Sequence, residues 1–297
     1  MKRGKIISGI ILAVLLVCLI TLYATTGFLQ RGNIDALDIE KWQYVDGVIS
    51  KAQGFTLEGS SGECWVMIHG YTSTPDELRR VAEVVHEKFN DTVYVPRLYG
   101  HGELPSHLEL YSVEEWYLRA EEMMDKHRCS YMLGSSMGAS IALRYAEEHQ
   151  LNGVVLLGLM LKQAPEYLPV ETLMRRLYPI VRYAKKTEPG GTIISPEGKK
   201  EHISTYTFPL KGAVELVLFN KKLDISKVNS SILFVHARDD TVAAFSGAKN
   251  AFDRLNTTKE FVELLEGNHI IMRDFGREKA IEEIIRFREQ IASAAQS

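Results

Sequence analysis

The stretch that most narrows what this chain can fold into is Tyr131-Met132-Leu133-Gly134-Ser135-Ser136-Met137-Gly138. An apolar run from Cys129 to Leu133 leads into it, and a helix-like run from Ala139 to Glu148 leaves it. Strand, sharp turn and helix are the setting in which Gly-x-Ser-x-Gly presents a serine at the carboxyl end of a strand. Gly134 and Gly138 let strand and helix approach closely around Ser136. The pentad alone arises by accident in a chain this long on the order of one time in ten. A small-residue turn that merely packs a helix on a strand would look the same, so the rest of the chain must decide.

Strand and helix patterns alternate along most of the sequence. Short apolar strands are expected at Gly54–Glu58, Cys64–Ile68, Thr92–Val95, Gly153–Leu157, Ile232–Val235 and Glu260–Leu265. Helices are expected from Ser73 to about Phe89, with Pro75 in the first turn, and from Ser112 to about His127. The second opens with a capping box, Ser112-Val113-Glu114-Glu115. Further helices are expected near Ser246–Leu255 and at Glu278–Ile291, where Ile281, Ile284, Ile285 and Phe287 form an apolar side. Such alternation predicts an α/β fold with an open, mainly parallel sheet covered on both faces. Ligands of such sheets bind beyond the carboxyl ends of strands. The stretch Leu159–Phe208 breaks the alternation with five prolines and Gly190-Gly191. It reads as an insertion, either a lid over a binding surface or a structural side layer.

A serine hydroxyl attacks only with the help of a base, and the base needs an orienting carboxylate. Both follow in the chain. The strand Ile232–Val235 runs into His236-Ala237-Arg238-Asp239-Asp240, and Glu260–Leu265 runs into Glu266-Gly267-Asn268-His269. Ser136, an aspartate of the 239–240 pair and His269 thus lie past strand ends on one rim. Asp240 is chosen as the acid and Asp239 is the alternative. An oxyanion would be held by two backbone N–H groups, that of Met137 after the nucleophile and that of Tyr71 after His69-Gly70. His69 is read as a structural ring bracing that loop. Tyr71, Met137 and Met160 are weak candidates for lining an acyl pocket, since such side chains more often belong to cores.

Taken together, Ile68-His69-Gly70-Tyr71-Thr72, Gly100-His101-Gly102, Leu133–Gly138, Asp240-Thr241-Val242 and Gly267-Asn268-His269 resemble the α/β-hydrolase superfamily. The likeness is strongest to its bacterial carboxylesterase and monoacylglycerol lipase branch, and covers about Gly54 to the C-terminus. It implies that Ser136 is the nucleophile, Asp240 the acid and His269 the base. It also implies that the insertion is a small cap over an acyl pocket. The expected activity is cleavage of carboxylic esters, monoacylglycerols or other short and medium acyl esters, through an acyl-enzyme and without metal or organic cofactor. The same three side chains would also suit a peptidase, amidase or thioesterase, and a non-catalytic binding relic of the fold is the remaining alternative.

The N-terminus reads differently. Lys2, Arg3 and Lys5 precede an apolar run from Ile6 to Tyr23, and the next charge is Arg31. Eighteen helical residues reach about 27 Å, close to the roughly 30 Å hydrocarbon core. The run is long for a signal peptide and no Ala-x-Ala follows it, so 6–23 is read as an uncleaved signal anchor in preference to a cleaved leader. Val17 before Cys18 is a poor lipoprotein site. Three cations before the span put residues 1–5 in the cytoplasm and the remainder outside it. Residues 24–53 are expected to link the span to a domain at 54–297. The formal charge of −3 offers no footprint for nucleic acid. Cys64 and Cys129 begin two strands; two buried free thiols are expected, a disulfide being the alternative in an oxidising compartment.

Overall fold

The computed structural model describes residues 12–18, 33–166, 170–178, 181–186, 188 and 190–296. In chain order the elements are α1 (Ala36–Lys41), β1 (Tyr44–Val45), β2 (Val48–Ile49), β3 (Phe55–Leu57), β4 (Cys64–Ile68), α2 (Arg79–Phe89), β5 (Thr92–Val95), α3 (Pro105–Leu108), α4 (Val113–His127), β6 (Tyr131–Ser135), α5 (Met137–Glu148) and β7 (Gly153–Leu157). There follow α6 (Val170–Leu177), β8 (Tyr183–Lys185), α7 (Pro196–Glu201), β9 (Thr207–Pro209), α8 (Leu210–Asn220), β10 (Ser231–Ala237), α9 (Phe245–Arg254), β11 (Lys259–Leu264) and α10 (Arg277–Gln296). A short 3₁₀ turn, Pro75–Leu78, leads into α2.

Seven strands form one sheet in the order β11-β10-β7-β6-β4-β5-β3, parallel except for β3 at its edge. Its central strands read as continuous apolar runs because both faces are covered. In β4 the pleat sends Trp65 and Met67 to one side and Val66 and Ile68 to the other. The first pair packs with Val81, Val85, Ile284 and Phe287 of α2 and α10. The second packs with Trp116, Ile141 and Leu143 of α4 and α5. The capping box forms as read: Ser112 Oγ accepts from Glu115 N–H, and the Glu115 carboxylate accepts from Ser112 N–H.

Three expectations are corrected. Residues 24–53 are not merely a linker, because from Asn33 onward the chain folds against the domain as a strap. Asp38 is buried and accepts from the Tyr206 and Thr207 N–H groups at 2.7 and 3.0 Å. Trp42 Nε1 donates to Ser204 O, and Val48, Ile49 and Ala52 pack on Ile203. Second, Cys64 and Cys129 are joined in a disulfide, with Cα atoms 4.8 Å apart. The reason lies in register. Trp65 stands opposite Tyr131, so Cys129 precedes the ladder, just after Arg128 in left-handed conformation. There the chain is free of parallel-strand geometry and can turn its thiol across. Third, the insertion after β7 runs beyond 208, since α8 continues it to Asn220. In α8, Leu216 and Phe219 join the core on the α4–α5 side of the sheet and Val214 and Val217 are buried as well, so the helix needed no periodic polar face.

Of the expected span at 6–23, only residues 12–18 are described, and they are helical. Among the described residues no helix is long and apolar enough to cross a membrane; the rest of that expected span lies outside them.

Candidate active site

The turn between β6 and α5 holds Ser136 at φ +52° and ψ −108°. A non-glycine residue there is strained by on the order of 1–3 kcal/mol and persists only when its surroundings over-determine it. They do so here. Ser136 N–H donates to Leu157 O of the next strand at 2.8 Å. A Cβ on Gly134 would sit 2.0 Å from Gly138 O, and one on Gly138 would sit 2.0 Å from Ile68 O. No larger residue fits at either position, so the pentad spacing is a packing requirement.

Ser136 Oγ lies 2.8 Å from His269 Nε2, and His269 Nδ1 lies 2.8 Å from Asp240 Oδ2. A carboxylate accepts only, so Nδ1 carries the proton and donates to Asp240. Nε2 then presents its lone pair to the Ser136 hydroxyl. The sequence candidates Ser136, Asp240 and His269 are thereby brought into one hydrogen-bonded line. Asp239, the alternative acid, is exposed and outside it.

The electrostatics follow from burial and pairing. Asp240 is buried, which opposes its charge, yet His269 and the backbone hold its carboxyl below the usual range. Its other oxygen accepts from the Val242 and Ala243 N–H groups, both at 2.8 Å. Burial pulls the His269 pKa down, but the field and hydrogen bond of Asp240 outweigh it and the net shift is upward. His236 Nε2 donates to Ala243 O and lies 3.4 Å from Asp240 Oδ2; burial depresses its basicity. Asn268 Oδ1 accepts from Thr241 N–H and from His269 N–H, tying the acid loop to the histidine loop.

The other expected contributors come from the loop after β4 and from the first residue of α5. The N–H groups of Tyr71 and Met137 donate to no protein acceptor among the described residues. A Cβ on Gly70 would lie 3.4 Å from Ser136 Cβ, so the loop at 69–72 runs directly against the serine. His69 braces that loop: Nδ1 donates to Gly70 O and Nε2 accepts from Leu98 N–H, while burial depresses its pKa to about 4. Sequence reading missed Glu77. This buried carboxylate accepts from Gly70 N–H at 3.3 Å and from Ser135 Oγ at 2.5 Å, joining the 69–72 loop to the serine turn. Nothing local in sequence marks it, because both its partners come from other elements.

Above Ser136 and His269 lies a cavity of about 390 Å³, roofed by the insertion and lined largely by apolar side chains including Met160, Met174, Phe208 and Leu216. Tyr71 and Met160 do line it, whereas the Met137 side chain is core. Tyr71 OH donates to Pro209 O, so the 69–72 loop is also fastened to the roof. Among the described residues only Glu121, Glu148 and His149 group closely enough to offer ligands to a metal, and none of them lines the cavity.

The model of the alpha/beta hydrolase family matches residues 65–282, most of the chain. The chain is a member of the α/β-hydrolase family. It is 29% identical over 249 residues to a thermostable monoacylglycerol lipase of Bacillus sp. (strain H-257), covering 81% of this chain and 95% of the relative. Among solved structures, one from the study of the metagenome-derived lipolytic enzymes LipS and LipT superposes with a TM-score of 0.73 at 20% identity, over 84% of this chain and all of that one. The monoacylglycerol lipase of Paleococcus ferrophilus gives 0.70 at 18% identity, over 81% and 98%. At these identities the solved structures speak for the fold alone.

Proposed function

We propose that this α/β-hydrolase is a serine esterase that cleaves carboxylic esters, monoacylglycerols or other short and medium acyl esters, through an acyl-enzyme. The observation that carries this reading is the line Ser136–His269–Asp240 opening onto an apolar cavity. His269 takes the Ser136 proton as Oγ attacks the ester carbonyl. Asp240 holds the imidazole in the needed tautomer and stabilises the imidazolium. The oxyanion is received by the N–H groups of Tyr71 and Met137, which among the described residues have no other acceptor to give up. His269 then protonates the leaving alcohol, and water activated by the same base releases the acid. The name of the Bacillus relative supports the substrate class.

The test is hydrolysis of p-nitrophenyl esters of increasing acyl length, beside Ser136→Ala. Loss of the nucleophile is expected to lower kcat by roughly 10⁴-fold or more. Equal turnover by both proteins would remove Ser136 from the mechanism. Parallel thioester and aminoacyl-amide substrates rank the alternatives, and a higher kcat/KM on amides would replace the esterase reading.

We further propose that residues 6–23 anchor the enzyme in the cell membrane with the hydrolase outside the cytoplasm. The charge asymmetry around that run supports it, as does the Cys64–Cys129 disulfide, since such bonds persist in oxidising compartments. A topology reporter fused after Ser297 is expected to be active only in its extracytoplasmic form; cytoplasmic activity would reverse the orientation.

A further inference from the structure

Among the described residues that line the cavity, Lys186 is the only lysine, arginine, aspartate or glutamate. It follows β8, and its backbone N–H donates to Tyr206 O. Its Nζ donates to Thr72 Oγ1 at 2.6 Å and to Ser204 Oγ at 3.2 Å. Both acceptors are uncharged. Among the described residues no carboxylate forms an ion pair with it. The Phe208 ring, 5.8 Å away, offers a weak cation–π contact near the outer limit of that interaction. An ammonium has three donors, and two are used. A cation facing an apolar cavity without a counter-ion is costly, and the missing partner is an anion.

We propose that Lys186 makes this cavity selective for esters that carry an anionic group, a carboxylate or a phosphate, close to the scissile bond. The inference deepens the esterase reading above and rests on it. Position supports closeness to the reaction. Thr72, which accepts from Nζ, directly follows Tyr71, whose N–H is the proposed oxyanion donor. An anion held by Lys186 therefore lies on the same short loop as the reacting carbonyl. Neutral glycerol esters would leave the cation as it is now, held by two hydroxyls. The rival role is a tether, in which Lys186 only fastens the roof strand to the 69–72 loop.

The charge is also titratable within reach. Burial lowers the Lys186 pKa to about 8, against the upward pull of the Asp38 and Glu77 carboxylates, and His202, buried and neutral, faces it as well. Above that pH the amine is neutral and attraction for an anion is lost.

The experiment uses the full chain in detergent and two matched substrate pairs. On the acyl side the pair is p-nitrophenyl hexanoate and p-nitrophenyl hydrogen adipate. On the alcohol side it is 1-butyrylglycerol and 1-butyrylglycerol 3-phosphate. The readout is the ratio of kcat/KM, charged over neutral, within each pair, with Ser136→Ala as the blank. In one pair the ratio is expected to exceed about ten, the size of a charge-assisted hydrogen bond. The pair that shows it identifies which side of the ester bears the anion. Lys186→Met is expected to collapse that ratio to near one, Lys186→Arg to keep most of it, and the wild-type ratio to fall as pH rises through about 8. A tether would lower both members of a pair equally and leave the ratio standing; that result, or ratios near one in both pairs of the wild type, overturns the inference while leaving the esterase reading intact. Absence of Ser136-dependent turnover of all four substrates would overturn both.

Discussion

His269 sits between opposing influences: burial disfavours its charge, and Asp240 at 2.8 Å favours it. The carboxylate wins, so the imidazole is protonated at a higher pH than an ordinary histidine. In the proposed mechanism His269 is the base, and a base must be neutral to act. The acidic limb of kcat/KM is therefore expected to have its midpoint above 6.5, with activity lost as pH falls through it. Asp240→Asn removes the field and the acceptor of the Nδ1 proton. It is expected to shift that limb downward and to cut kcat by about 10⁴-fold. A pH–rate profile of both proteins checks the two effects at once; an unshifted limb would mean that another group sets it. The three side chains singled out from sequence meet in space because each stands just past a strand end, and parallel strands bring those ends to one rim. Glu77, Thr72 and Lys186 carried no such signal. Each is an ordinary polar residue whose meaning comes only from partners more than fifty residues away or on another element, Glu77 on Ser135 and Lys186 on Thr72.

Elements were legible in proportion to how local their causes are. The buried strands β4, β6, β7 and β10 are apolar on both faces and announce themselves. The Ser112 capping box fixes the start of α4 within one turn. That local device gives a clean prediction: Ser112→Ala should cost about 1 kcal/mol, a fall in Tm of about 2–4 °C by thermal unfolding, with kcat unchanged. The short strands β1, β2, β8 and β9 have two or three residues each and no period long enough to read. They exist because something else covers them. β9 pairs with β8, and Tyr206 and Thr207 at its start give their N–H groups to Asp38, a residue more than 160 positions earlier. The disulfide escaped reading for a related reason: strand register placed Cys129 two residues before the ladder, which no composition reveals.

On the scale of the whole molecule, the strap from Asn33 to Gln53 is part of the hydrolase fold. Val48 and Ile49 are buried, and each fully buried Val or Ile is worth about 1.5–3 kcal/mol. A chain lacking residues 1–53 is expected to melt on the order of 10 °C below one lacking only residues 1–32. Equal Tm values by calorimetry would reduce the strap to a surface ornament. The strap does not touch Ser136. It grips the stretch 203–207 of the roof from outside, through Asp38 and Trp42, while Thr72 grips it from inside, its carbonyl accepting from Thr205 N–H.

That double grip has a geometric corollary for an enzyme held at a bilayer. With residues 6–23 crossing the membrane as proposed, about ten residues join Tyr23 to Asn33, a reach of at most roughly 35 Å when fully extended. On that proposal a leash so short, attached beside the roof, would limit how far the hydrolase drifts from the bilayer and would turn the face that carries the cavity toward the lipid. Substrate leaving the bilayer would then search a narrow interfacial layer for the opening, and not the surrounding bulk.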